Sequence, residues 1–145
     1  VKDLNLIVLY VIALISYQIN TQDIQQQQWT KRVLLILTDN LNYQDFHSQI
    51  NVFQNQQKKL DDSNLVIYQI TSRHYKLGLF EENKWIKRSQ PYQEMKTDST
   101  IFEVILIGLD VGEKLKQNTS LSTDKLFSPI DSMPMRRAET RHKNE

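Results

Sequence analysis

The chain has 145 residues, a formal net charge of +1, 39% hydrophobic and 24% charged side chains. That balance sustains one hydrophobic core and excludes a disordered chain, and it lacks the concentrated basic excess of a nucleic-acid binder. Cysteine is absent, which excludes disulfides, thiolate metal sites, a C-x-x-C redox pair, a thiol nucleophile and a lipid-modified cysteine.

Lys2 precedes an apolar stretch over residues 4–17, and the sequence turns polar from Gln18 onward. A segment of that length is short for a membrane span, which needs about 20 residues, and suits the apolar region of a secretory leader. Residues 1–18 are therefore read as a signal peptide and the protein as exported, periplasmic or secreted, with no stable membrane span after leader removal. A retained amino-terminal anchor is the alternative. Residues 19–28, with glutamines at 25–28, form a spacer, and a single domain occupies 29–140, ahead of a charged tail at 141–145.

Within the domain, Val33, Leu34, Leu35, Ile36 and Leu37 form an unbroken apolar run, the pattern of a strand buried on both faces. Phe46, Ile50, Phe53 and Leu60 follow at helical spacing and predict one amphipathic helix. Residues 65–70 read as a second buried strand, so the order strand, helix, strand predicts a parallel crossover. Residues 72–100 mix charge with scattered aromatics and read as an irregular insertion containing one helix. Residues 102–107 form a third strand. The turn from Gly108 to Gly112 and the alternation Glu113, Lys114, Leu115, Lys116 then predict a hairpin whose second strand lies at a sheet edge. Ser122 or Thr123 caps a last helix carrying Leu126, Phe127, Ile130 and Met133 on one face, with Pro129 inside it. Pro134 stops that helix, and the remainder is expected to fray.

The expected fold is α/β: a mixed sheet with parallel central strands, a carboxy-terminal hairpin and a closing helix. Two stretches narrow it further, FEVILIGLDVGEKLK from Phe102 and LFSPIDSMPMRRAE from Leu126. They resemble the carboxy-terminal signature of the bacterial family called domain of unknown function 4174, most specifically in Met133, Pro134, Met135, Arg136 and Arg137. The resemblance implies a thioredoxin-like fold, an extracytoplasmic setting, no established reaction, and kinship with vertebrate matrix domains of coiled-coil domain-containing protein 80 and the sushi-repeat proteins. Leu109 stands where the family has lysine and Val111 where it has glycine, so any role of that lysine is lost here. Disulfide exchange needs a thiolate at the first helix, and this chain has none to offer.

Arg136 and Arg137 are the leading candidates for binding, because guanidinium forks take carboxylate, phosphate or sulfate in a bidentate way. The alternative is that they pair with Asp131, Asp110 or helix-end carbonyls and pin the tail to the hairpin. Asp110 is a candidate ligand, and Lys114 with Lys116 would add a basic patch beside the arginines. Gly108, Gly112, Asp131, Met133 and Pro134 are assigned structural roles, and Met135 joins Met133 as core filling. His47, His74 and His142 show no metal-ligand spacing, and neither a metal, a cofactor nor a catalytic residue is expected. The aromatic and basic residues from Arg73 to Arg88 read as a surface loop rather than a stacking platform. The function read from these residues is a binding or structural module for an anionic polymer or an envelope protein. The alternative is an enzyme of unknown type, peroxide- or stress-related, acting without sulfur.

Overall fold

The computed structural model describes residues 30–87, 96–97, 99–110 and 112–143. The predicted leader and spacer lie outside them, as do Trp29, Arg88, Pro91 and Val111. Six strands form one mixed sheet: β1 (Arg32–Thr38), β2 (Leu65–Ile70), β3 (His74–Leu77), β4 (Ile86–Lys87), β5 (Phe102–Ile107) and β6 (Glu113–Gln117), in the order β4-β3-β2-β1-β5-β6. β1 pairs with β2 in parallel and with β5 antiparallel, while the remaining pairs are antiparallel. The chain is an α/β domain built on a single mixed sheet, with its hairpin at one edge, as the sequence implies.

Alternation along the strands sorts side chains to two faces. Leu34, Ile36, Leu65, Ile67, Phe102, Val104 and Leu106 join the main core with side chains of the helices, whereas Val33, Leu35, Leu37, Tyr68, Ile70 and Ile105 form a second buried cluster. Both faces of β1 are buried, which is why its sequence shows no alternation.

The predicted helix between β1 and β2 is two helices, α1 (Gln44–Gln54) and α2 (Gln57–Asp62). The backbone N–H of Gln56 donates to the Phe53 carbonyl at 2.9 Å, and the side chain of Asn55 donates to the Asn51 carbonyl at 3.0 Å. Both bonds draw helix carbonyls away from the regular ladder, and an asparagine competing in this way ends a helix that spacing alone would continue. Leu60 still reaches the same core as Phe46 and Phe53. Asn64 adopts φ 52°, the left-handed conformation that asparagine tolerates, to turn from α2 into β2.

The described part of the insertion is also corrected: it extends the sheet through β3 and β4, and the expected helix does not occur among the described residues. On β3, Tyr75 packs beside Tyr68 at 6.2 Å between ring centroids, while Lys76 lies opposite Gln69. Polar residues at inward positions hid the strand alternation. Gly78, at φ 89°, turns out of β3, and its N–H donates to the Ile67 carbonyl at 2.9 Å.

At the carboxy-terminal end, α3 (Thr123–Ser132) begins at Ser122, whose hydroxyl accepts from the Lys125 N–H at 3.3 Å. Met133 is extended, as the residue before a proline prefers, and ends α3. Pro134 does not end order there: it opens α4 (Pro134–Lys143) at the first helical position, where a missing N–H costs nothing. The expected frayed tail is therefore a helix through Lys143, and ion pairs hold it down.

Candidate functional site

Arg32, at the start of β1, is fully buried. Its guanidinium donates to the Ser63 carbonyl at 2.8 Å and to both carboxylate oxygens of Glu139 on α4, at 3.2 Å each. Arg136, 5% exposed, donates to the Asp62 carbonyl at 2.6 Å and to its carboxylate at 2.9 Å, with Glu139 at 3.5 Å and Asp131 at 3.6 Å. Lys143 also pairs with Asp62. Three basic side chains thus share three carboxylates, and together they clasp α4 to the end of α2 and the start of β1. Hydrogen bonds from Lys143 and then from Arg136 lower the Asp62 pKa from 3.8 to about 2. Burial is the largest influence on Arg136 and opposes its charge, but the bonds and charges of Asp62, Glu139 and Asp131 together outweigh it, so its pKa is raised. Arg136 is pinned to α2 and not to the hairpin, through a helix-end carbonyl and with Asp131 nearby as the sequence suggests, and its Nε is buried without a hydrogen-bond partner. Arg137 is exposed on the same helix.

The remaining sequence candidates are close by but differently engaged. The Asp110 carboxylate accepts from Lys114 at 2.6 Å and from the Gly112 N–H at 3.2 Å; these two bonds lower its pKa, the lysine first. Gly108 packs tightly in this turn, since a Cβ there would meet Lys114 Cε at 2.6 Å and Asp110 Oδ1 at 2.8 Å. A Cβ at Gly112 would lie 3.3 Å from the Asp110 carboxylate. Lys116 lies 3.8 Å from Glu103 instead, so the two lysines have separate partners. Arg32, Leu109, Lys114, Met133 and Met135 border a small, mostly apolar hollow of about 220 Å³ where the hairpin meets the α3–α4 junction. Met133 packs against the main core, but Met135 is 60% exposed, which corrects its assignment as core filling.

A larger and more polar cleft, of about 350 Å³, lies between α1 and the β3–β4 hairpin, lined in part by His47, Gln54, Gln69, Lys76, Glu81 and Trp85. Register explains its chemistry. Gln69 and Lys76 are cross-strand partners on the helix-bearing face, just past the last apolar residue of β2 on that face. The Gln69 amide N–H donates to the Gly78 carbonyl at 2.7 Å, and the Gln54 amide N–H to the Leu79 carbonyl at 2.8 Å. These bonds fix the loop that roofs the cleft. Lys76 is 9% exposed; its Nζ donates to the Phe80 carbonyl at 3.3 Å and lies 5.3 Å from the centre of the Trp85 ring. No carboxylate among the described residues lies within ion-pair distance of it. The sequence signal for this site was the pair of polar residues, Gln69 and Lys76, at inward positions of two strands.

The buried lysine on the other side of the α1 amino terminus shows the contrast. Lys96, 8% exposed, pairs with Asp39 at 2.9 Å and donates to the carbonyls of Thr97 and Thr100. Glu103 nearby accepts from the Thr97 N–H and hydroxyl, each at 2.9 Å.

The family described as Domain of unknown function (DUF4174) matches the chain over residues 23–139. The chain belongs to this family. That match spans the cleft of this DUF4174 domain and all of the clasp except Lys143. No curated protein and no solved structure matches the chain significantly. Among the described residues no three histidine or acidic side chains converge as a metal site, and no helix is long and apolar enough to cross a membrane.

Proposed function

We propose that this DUF4174 domain is an exported, cysteine-free binding module of thioredoxin-like fold that takes an anionic partner, a polymer or an envelope protein, in the Lys76 cleft. Support for the fold comes from the strand order β2-β1-β5-β6, with β1 and β2 parallel and α1 and α3 packed on one face. The function rests on one observation: Lys76 is nine-tenths buried without a carboxylate partner among the described residues. The Phe80 carbonyl and the Trp85 ring solvate the ammonium without neutralising it, so its charge is available to an anion that enters the cleft. Arg32, Arg136, Lys96 and Lys114 each have a carboxylate already. Lys76, rather than Arg136, is therefore the proposed anchor for the partner.

The test is retention of the full chain on carboxylated and sulfated matrices in a salt gradient, beside Lys76→Met and Arg137→Ala. The expected result is salt-sensitive retention that Lys76→Met abolishes and Arg137→Ala keeps. Equal retention by Lys76→Met, or no retention by the parent protein, refutes the reading.

A further inference from the structure

Resting on that reading, we infer that the cleft holds an acidic saccharide unit, a pyranose ring bearing a carboxylate such as a uronic acid. Gln54 and Gln69 each spend an amide N–H on a backbone carbonyl, Leu79 and Gly78 respectively. A carbonyl only accepts, so the amide orientation is fixed, and each side chain keeps its oxygen as an acceptor and its second N–H as a donor. Glu81 adds a carboxylate to the same lining. Around the single ammonium of Lys76, the cleft therefore offers acceptors and neutral donors side by side, the amides of Asn42 and Asn51 adding to those of Gln54 and Gln69.

A bare phosphate or sulfate uses only part of that set, because it brings acceptors alone and leaves the Gln54, Gln69 and Glu81 oxygens without a donor. A ligand with several hydroxyl donors and one anionic group matches it: the hydroxyls donate to Gln54, Gln69 and Glu81, and the anion accepts from Lys76. Trp85 supplies the remaining feature. Its ring lines the cleft, is 37% exposed, and lies beside the ammonium. With the ammonium 5.3 Å over the ring, the exposed part of the indole offers an apolar wall against which the C–H face of a sugar can lie while the rim stays wet. A cleft of about 350 Å³ lies at the lower end of the size range of small-ligand sites, which suits a single sugar unit of a longer chain better than an extended surface.

Isothermal titration of the full chain with tri-galacturonate, the neutral galactose trisaccharide and inorganic phosphate tests the assignment, with Lys76→Met and Trp85→Ala as variants. Trp85 is exposed and Met keeps the lysine stem, so both variants should fold; circular dichroism and melting verify this. The expected result is that tri-galacturonate binds at least about tenfold more tightly than the neutral trisaccharide, a preference that Lys76→Met removes. Trp85→Ala should weaken tri-galacturonate about five- to tenfold. If phosphate binds through Lys76 as tightly as tri-galacturonate and Trp85→Ala changes nothing, the saccharide assignment fails while the anion-binding reading stands. If no probe binds in a Lys76-dependent way, both fail.

Discussion

Replacing Arg136 by alanine should lower stability far more than the same change at its neighbour Arg137. Arg136 makes two hydrogen bonds to Asp62 and approaches Glu139 and Asp131 within 3.6 Å, with its side chain 6% exposed. Removing one partner of a fully buried ion pair costs about 3–5 kcal/mol. Asp62, however, is half exposed and Glu139 28% exposed, so both can regain water once the arginine has gone. A discounted cost of about 2–3 kcal/mol follows, in line with two hydrogen bonds to a charged group. For a domain of this size that corresponds to a fall in melting temperature of roughly 8–12 °C. Arg137 is exposed, and its loss should stay within about 0.5 kcal/mol, or roughly 2 °C. Differential scanning calorimetry of the two single variants reads both. A fall below about 3 °C for Arg136→Ala, or equal falls for the two, would refute the clasp.

The other consequences concern the same clasp and the core beside it. In a double-mutant cycle of Arg32→Met and Glu139→Gln, urea unfolding should return a coupling of about 1–3 kcal/mol; additivity would mean that the bidentate bond holds nothing. Gln49 is fully buried and both donates to and accepts from Leu121. Gln49→Met should cost about 2–4 kcal/mol by leaving that peptide's N–H and C=O unpaired, and a neutral result in urea would contradict the assignment. Asp62 has a pKa lowered from 3.8 to about 2, so between those values the unfolded chain binds more protons than the folded one. The stability it contributes is present above about pH 4 and is lost as pH falls toward about 2. Melting followed from pH 5 to pH 2 should therefore fall less steeply in Asp62→Asn than in the parent, and parallel slopes would refute the pairing.

Much of the fold was legible because burial on both faces leaves an unmistakable mark. The apolar runs in β1, β2 and β5 fixed the parallel crossover and the hairpin, and Ser122 marked the start of α3. Three elements were not legible, for separate reasons. The α1–α2 break depends on Asn55 and Gln56 turning hydrogen bonds back onto Asn51 and Phe53, which apolar spacing does not register. The strand β3 was masked by a lysine at an inward position. The helix α4 has mostly exposed side chains, so its stability comes from ion pairs to residues about 75 to 105 positions earlier, and sequence patterning carries no trace of those. Of the candidate site, the sequence located Arg136, Asp110 and Lys114, and named Asp131 and helix-end carbonyls as partners of the first, but it missed Asp62, Glu139 and Arg32. Asp62, Glu139 and Arg32 turn the first into a clasp, and the other two pair with each other. The cleft escaped because its residues come from α1, β2, β3 and the β3–β4 connection, none of which forms a motif alone.

On the function proposed above, these two regions divide the work of the domain. The clasp carries balanced charge and fastens the last helix, while the cleft keeps one buried ammonium open to a partner. Backbone amide chemical-shift mapping of the full chain during titration with tri-galacturonate tests that division most directly. The account predicts shifts confined to residues 41–54, 69 and 76–85, and their loss in Lys76→Met. Shifts centred instead on residues 109–115 and 133–137 would place binding at the hairpin corner and contradict it.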